Sequence, residues 1–221
     1  WCMASTVFVS IMTLGVPFAA LLYAYSTRRL LPFLLGVSAF VVSQIIIRLP
    51  LLELLATKSS SYLLWSVKYP IAFVLFLSFT AGIFEELARW IAMTYWMKQH
   101  DGLSGVVFGL GHGGIEAFLL VGLPVMTTLA NIHWLSGAER LIAIVIHIGL
   151  SLIVLDSVKR QRFAYCVLAI CIHGMINAFA GLLPFFLPAS AAPIVIETVL
   201  FLLAILTLSI AIVLRRKGEG K

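Results

Sequence analysis

The chain alternates long apolar runs with short polar breaks. The runs cover residues 4–25, 30–49, 69–92, 104–125, 138–157, 163–183 and 191–214. Each is long enough to cross a hydrocarbon layer roughly 30 Å thick as a helix of about 20 residues. Seven transmembrane helices are predicted, so the fold class is an all-α, polytopic integral membrane bundle. The stretches 50–56 and 61–68 are amphipathic extensions of the second and third runs, expected to lie along the membrane surface. The first run lacks a basic flank and is longer than the core of a signal peptide, so it reads as a retained helix. No long-period repeat, low-complexity tract or soluble segment interrupts the pattern, and residues 1–221 read as a single transmembrane domain.

Composition supports the same class: 62% of residues are hydrophobic and 11% charged, with a mean hydropathy of +1.11, whereas soluble domains carry about 25% charged residues. The net charge of +6 follows from topology and gives no reason to invoke nucleic acid. Arg28, Arg29, Lys98, Lys159, Arg160, Arg162, Arg215, Arg216, Lys217 and Lys221 fall on one side of the predicted membrane, and Lys58, Lys68 and Arg140 on the other. The positive-inside rule then puts the N-terminus outside and the C-terminus in the cytoplasm. Trp65 and Tyr69 at one end of the third run, and Trp90, Tyr95 and Trp96 at the other, form the two aromatic belts. Cys2, Cys166 and Cys171 lie in apolar runs, and their odd number does not suggest a disulfide framework.

Against this background the ionisable residues inside the runs stand out. Glu85, Glu86, Arg89, His112, Glu116, His147 and His173 lie where a charge costs at least about 2.5–3.5 kcal/mol, and such residues mark functional sites by default. At a rise of about 1.5 Å per residue, four helices place them in one layer, nearer the cytoplasmic end than the outer one. Spacing adds pairs on shared faces: Glu85 or Glu86 with Arg89, His112 with Glu116, His147 with Ser151, and His173 with Asn177. The arginine can neutralise one carboxylate and leave the other for chemistry. Glycines 105, 109 and 113 form a ladder that permits close helix approach, within this chain or between chains, so the oligomeric state is left open.

These residues also resemble a known family. Glu85-Glu86-Leu87-Ala88-Arg89, Phe108-Gly109-Leu110-Gly111-His112 and His173-Gly174-Met175-Ile176-Asn177 are similar to the glutamate-pair, FxxxH and HxxxN motifs of the CAAX-protease and bacteriocin-processing superfamily of intramembrane proteases. The nearer likeness is to its YhfC-like branch, related to the PrsW proteases, where Glu139-Arg140 followed by His147 and Ser151 also looks like a family motif. The likeness spans roughly residues 80–180. CAAX prenyl endopeptidases place the arginine five residues after the first glutamate, whereas Arg89 follows Glu85 by four, which argues against a prenylated substrate.

The resemblance implies an intramembrane endopeptidase of glutamic type with no cofactor, cleaving a membrane-embedded or membrane-anchored polypeptide in a prokaryotic plasma membrane. Glu85 would deprotonate the attacking water, assisted by His112. Asn177 and His173 would donate to the oxyanion, a role worth about 3–4 kcal/mol per donor. Glu86 and Arg89 would orient the base, with His147 and Glu116 in support. Two other readings use the same residues. His112, His147 and His173 with a glutamate could hold Zn2+, although the HExxH pattern of helical zinc proteases is absent. Intramembrane carboxylates and histidines also build proton-coupled transporters. Gly102-Leu103-Ser104-Gly105 fits a rhomboid-like GxSG pattern, but is better read as a turn with Ser104 near a helix cap. Among the remaining polar residues, Arg48 and Glu197 are expected to be structural or to snorkel, His100 and Asp101 to be solvated, His133 to be interfacial, and Asp156 to pair locally with Lys159 and Arg160.

Overall fold

The computed structural model describes residues 2–128 and 133–219; Trp1, residues 129–132, Gly220 and Lys221 lie outside it, as do the side chains of Cys2, Thr128, Lys217 and Glu219. Seven helices are long and apolar enough to cross a membrane, and no strand occurs among the described residues. In chain order they are α1 (Met3–Ser26), α2 (Leu30–Lys58), then, after a short helix α3 (Ser60–Lys68), α4 (Pro70–Tyr95), α5 (Gly102–Thr127), α6 (Trp134–Lys159), α7 (Ala164–Phe185) and α8 (Ala192–Arg216). The chain is thus an all-α, multi-pass integral membrane protein.

One expectation is corrected here. Residues 50–56 do not fold back along a surface but continue α2 as one helix to Lys58. Arg140 lies within α6, which begins at Trp134, four residues before the predicted start, and ion pairs to Glu116 and Glu139 offset its burial. Residues 61–68 do form a separate helix, capped by Ser59, whose side chain accepts from the Tyr62 amide. Tyr62 and Trp65 of α3 stack edge-on against Phe73 and Phe76 at the start of α4.

Close backbone approach sets the arrangement. In lipid there is little hydrophobic drive between helices, so van der Waals contact over small residues is what draws them together. α5 is flanked by α6 on one side and α2 on the other, α4 packs against α7, and α8 covers α6. The glycine ladder of α5 faces α6: a Cβ on Gly109 would lie 2.5 Å from the Ile148 Cα, and one on Gly113 2.9 Å from the Ile144 Cα. The ladder therefore serves packing within the chain. On the opposite face of α5, a Cβ on Gly36 of α2 would lie 2.1 Å from the Phe108 carbonyl oxygen. The buried core follows the same axis, with Phe108, Leu150, Ile153, Val154, Leu155 and Ala169 packed between α5, α6 and α7.

Three spans contain a wider, π-helical stretch: Ile11–Gly15, Val41–Arg48 and Phe118–Gly122. Each is followed two residues later by a proline, Pro17, Pro50 and Pro124. A proline inside a helix lacks the N–H for the carbonyl four residues back, and its ring clashes with that carbonyl. Widening the preceding turn relieves the clash, and single-turn π segments are recurrent at functional sites. The stretch in α2 carries Gln44 and Arg48, both buried.

Candidate functional site

The polar residues of α4, α5, α6 and α7 meet between the helices. Glu85 and Glu86 project from α4, where Ala81, Gly82 and the smaller apolar residues around them let neighbours come close. Glu86 forms an ion pair with Arg89 one turn along α4 (Nε to Oε2, 3.4 Å) and accepts from His173 Nδ1 of α7 at 2.8 Å. Both partners of the Glu86–Arg89 pair are wholly enclosed, at 0% exposure, so each needs the other. Arg89 also donates through Nη1 to the His147 carbonyl and to Ser151 Oγ, both at 3.0 Å, and through Nη2 to His147 Nδ1 at 3.2 Å. A guanidinium has no acceptor, so Nδ1 of His147 accepts and the ring proton sits on Nε2.

With Arg89 taken up by Glu86, Glu85 is left to a different set of partners. Its Oε2 lies 3.0 Å from His112 Nε2 and 3.9 Å from His173 Nε2. His112 is wholly buried, with Phe40 of α2 edge-on to its ring at 5.4 Å, and its Nδ1 has no hydrogen-bond partner among the described residues. Glu116, one turn after His112 on α5, does not pair with that histidine. It lies instead against α6, with Oε2 at 2.6 Å from His147 Nε2 and Oε1 accepting from Arg140 Nη1 at 2.9 Å. The i,i+4 spacing put His112 and Glu116 on one face, but each found its partner on a neighbouring helix. The rings of His112 and His147 are 4.8 Å apart between centroids, and those of His147 and His173 5.5 Å.

One ligand atom from each of Glu85, His112, Glu116 and His147 lies within 4.8 Å of the others. Imidazole and carboxylate donors in this number suit a zinc-type divalent cation, so the donor set fits a metal. It differs from the three-histidine set: the group contains Glu85 and Glu116 and not His173, whose Nδ1 pairs with Glu86 and whose Nε2 lies 3.9 Å from Glu85 Oε2. The proton on His147 Nε2 is the feature a metal would have to displace. A cavity of about 100 Å3 opens beside these groups, lined by Glu85, Glu116, His147, His173 and Asn177 together with Glu139, Arg140 and Leu200. That is enough for a few waters. Asn177 thus sits one turn from His173 on the cavity wall.

Two residues of the site were not anticipated. Gln44 of α2 donates Nε2 to Glu85 Oε1 at 2.8 Å, and Arg48, expected to be structural or snorkelling, donates Nη1 to Gln44 Oε1 at 2.9 Å. The signal was present as a buried-looking Gln and Arg four apart in an apolar run, the same logic that singled out α4 to α7. Other minor expectations also change. Asp101 is more than solvated: it caps α5, accepting from the Ser104 amide at 3.0 Å and the Ser104 hydroxyl at 2.9 Å, and pairs with Arg29 at 3.2 Å. His100 lies 2.9 Å from the Met93 carbonyl. Ser104, taken up in this cap, is not presented as a nucleophile.

The profile of the YhfC intramembrane metalloprotease family matches residues 12–134 and 126–200, which include every residue of this site. The chain belongs to that family. Among curated proteins, an "Uncharacterized membrane protein YhfC" of Bacillus subtilis (strain 168) is 31% identical, with the match covering 53% of this chain and 59% of the relative. The chain thus matches about three-fifths of the length of that relative. No solved structure matches.

Proposed function

We propose that this chain is an intramembrane endopeptidase that hydrolyses a peptide bond of a membrane-embedded or membrane-anchored polypeptide at the Glu85, His112, Glu116 and His147 centre. The observation that carries the reading is the convergence of these four donors, three of them buried and Glu116 half-buried, beside a cavity inside the membrane-spanning bundle. A metalloprotease family name supports it. Glu85 lines the cavity, and its Oε2, the oxygen not taken by Gln44, accepts the proton of an attacking water, for which general-base catalysis is typically worth about 10²–10⁴-fold. His173 is oriented by Glu86, which in turn is held by Arg89, and its Nε2 points toward Glu85 and the cavity. Together with the Asn177 amide it is suited to donate to the oxyanion of the tetrahedral intermediate.

His112, Glu116 and His147, three of these four donors, would hold a zinc-type ion and leave a position open for water beside Glu85. Such an ion supplies Lewis-acid polarisation of the scissile carbonyl and makes an attacking water more acidic. Arg140 neutralises Glu116 and brings Glu139 to the cavity rim. The second reading is metal-free, with Glu85 acting on water alone and His112 assisting. It is favoured by one specific feature, the Arg89 donor on His147 Nδ1, which leaves a proton on the nitrogen that would otherwise bind the ion.

An apolar groove of about 380 Å3 between α2 and α4, lined by residues including Leu35, Val42, Ile83, Leu87 and Trp96, supports lateral approach of an apolar substrate segment. We read residues 1–221 as one protease domain, in a prokaryotic plasma membrane, with the end bearing Arg29, Lys98, Arg160 and Arg215 in the cytoplasm. Elemental analysis of purified protein, combined with cleavage of a peptide library with and without chelator, separates the two readings. Stoichiometric zinc whose removal abolishes cleavage supports the metal-held centre, and cleavage that survives chelation in zinc-free protein supports the glutamate alone. Transport of a solute with no cleavage under either condition contradicts both.

A further inference from the structure

Resting on the reading of Glu85 as the group that activates water, we propose that Gln44 and Arg48 of α2 are positioning residues: they lock the Glu85 carboxylate so that Oε1 is taken by Gln44 and Oε2 is left to accept from the attacking water. The lock begins at Arg48, whose guanidinium is fixed by α4. Nη2 donates to the Leu77 carbonyl at 2.6 Å and Nε to Thr80 Oγ1 at 3.3 Å, which leaves Nη1 to donate to Gln44 Oε1 at 2.9 Å. Because a guanidinium only donates, the oxygen of the Gln44 amide must face Arg48. Its NH2 must then face Glu85, where Nε2 donates to Oε1 at 2.8 Å. A flipped amide would set donor against donor at Arg48 and oxygen against carboxylate at Glu85.

The carboxylate that results has two unlike oxygens. Oε1 is occupied by Gln44, whereas Oε2 is turned toward His112 at 3.0 Å and His173 at 3.9 Å. Were Arg48 there only to tie α2 to α4, its bonds to Leu77 and Thr80 would suffice. The extra donor continues through Gln44 and ends on the reacting glutamate, and the π-helical stretch Val41–Arg48 ahead of Pro50 carries both members of the relay. Supporting groups of this kind, which orient a reacting ligand without touching substrate, typically change activity or metal affinity about 10–100-fold when removed.

The test uses the full chain in lipid nanodiscs, comparing wild type with Gln44→Met, Arg48→Met and the double variant. Infrared difference spectra, with Glu85→Gln assigning the carboxylate band, read the lock without reference to activity. The Glu85 band is expected to shift in both single variants and to move no further in the double variant than in Gln44→Met, because Arg48 acts through Gln44. Cleavage kcat is expected to fall about 10–100-fold in Gln44→Met with KM within about twofold. Arg48→Met also releases Leu77 and can weaken the fold, so Gln44→Met, which keeps side-chain length and leaves those bonds intact, is the deciding variant. A Glu85 band indifferent to Gln44→Met, or an unchanged kcat in that variant, overturns the proposal. A band shifted in Gln44→Met, with wild type that cleaves nothing under any metal condition, upholds the lock and defeats the protease reading instead.

Discussion

Arg89 reaches Glu86, the His147 carbonyl, the His147 ring and Ser151 from a position with no exposure at all. It is the cation that allows Glu86 to be buried, so Arg89→Met leaves a carboxylate stranded in a low dielectric. Loss of one partner from such a pair costs about 3–5 kcal/mol; we expect the variant to melt well below wild type in detergent, whereas Ser151→Ala, which removes a neutral partner, costs about 1 kcal/mol. This residue was legible in the sequence because a charge in an apolar run has few explanations. The identity of its partner was not, since Glu85 and Glu86 are both within helical reach of it. Which carboxylate turns toward Arg89 depends on where α6 and α7 sit, and the sequence offers no distance between helices. The same lack of tertiary distance explains why His112 was paired with Glu116, and why Gln44 went unnoticed.

At the scale of single elements, α5 shows how local chemistry and packing divide the work. Its start is fixed by Asp101, and although burial opposes ionisation, the Ser104 amide and hydroxyl and the Arg29 guanidinium hold that carboxyl below its ordinary range. Asp101→Ala is expected to cost about 1 kcal/mol in the melting of the protein, as for other helix caps. With its folded value depressed, the ionised form contributes stability above the unfolded value of about 3.9 and loses it as pH falls through the folded value. The difference between wild type and Asp101→Ala should therefore be constant from about pH 5 to 8 and shrink below about pH 4. The flanks of α5 are set by glycine: Gly109→Ala places a methyl 2.5 Å from the Ile148 backbone, so α5 and α6 must separate, at about 1–3 kcal/mol. Because His112 and His147 ride on those two helices, we expect activity to fall with stability in this variant. The extents of the spans were legible from hydropathy. The three π-helical turns were also recoverable in principle, since each precedes an interior proline by two residues, but a hydrophobic run read with a single helical period has no place for an extra residue per turn.

For the whole molecule, the seven-helix count and the single layer of polar residues follow from a strong physical constraint: backbone and ionisable groups in lipid must be satisfied inside the protein. That constraint made the bundle legible before any helix was placed, whereas helix adjacency, which sets α5 between α2 and α6, was not. Orientation rests on charge. With native cysteines replaced by serine, His100→Cys should react with an impermeant maleimide in inside-out vesicles and stay unlabelled in intact cells; the reverse pattern would invert the topology. The central claim, that Glu85 at the meeting point of α2, α4, α5 and α7 activates water for peptide hydrolysis, is tested most directly by one comparison. Wild type and Glu85→Gln are reconstituted side by side and incubated with a library of membrane-spanning peptides, and cleavage is followed by mass spectrometry. We predict cleavage by wild type and a loss of about 10²–10⁴-fold or more in Glu85→Gln; cleavage by Glu85→Gln at the wild-type rate would contradict the account.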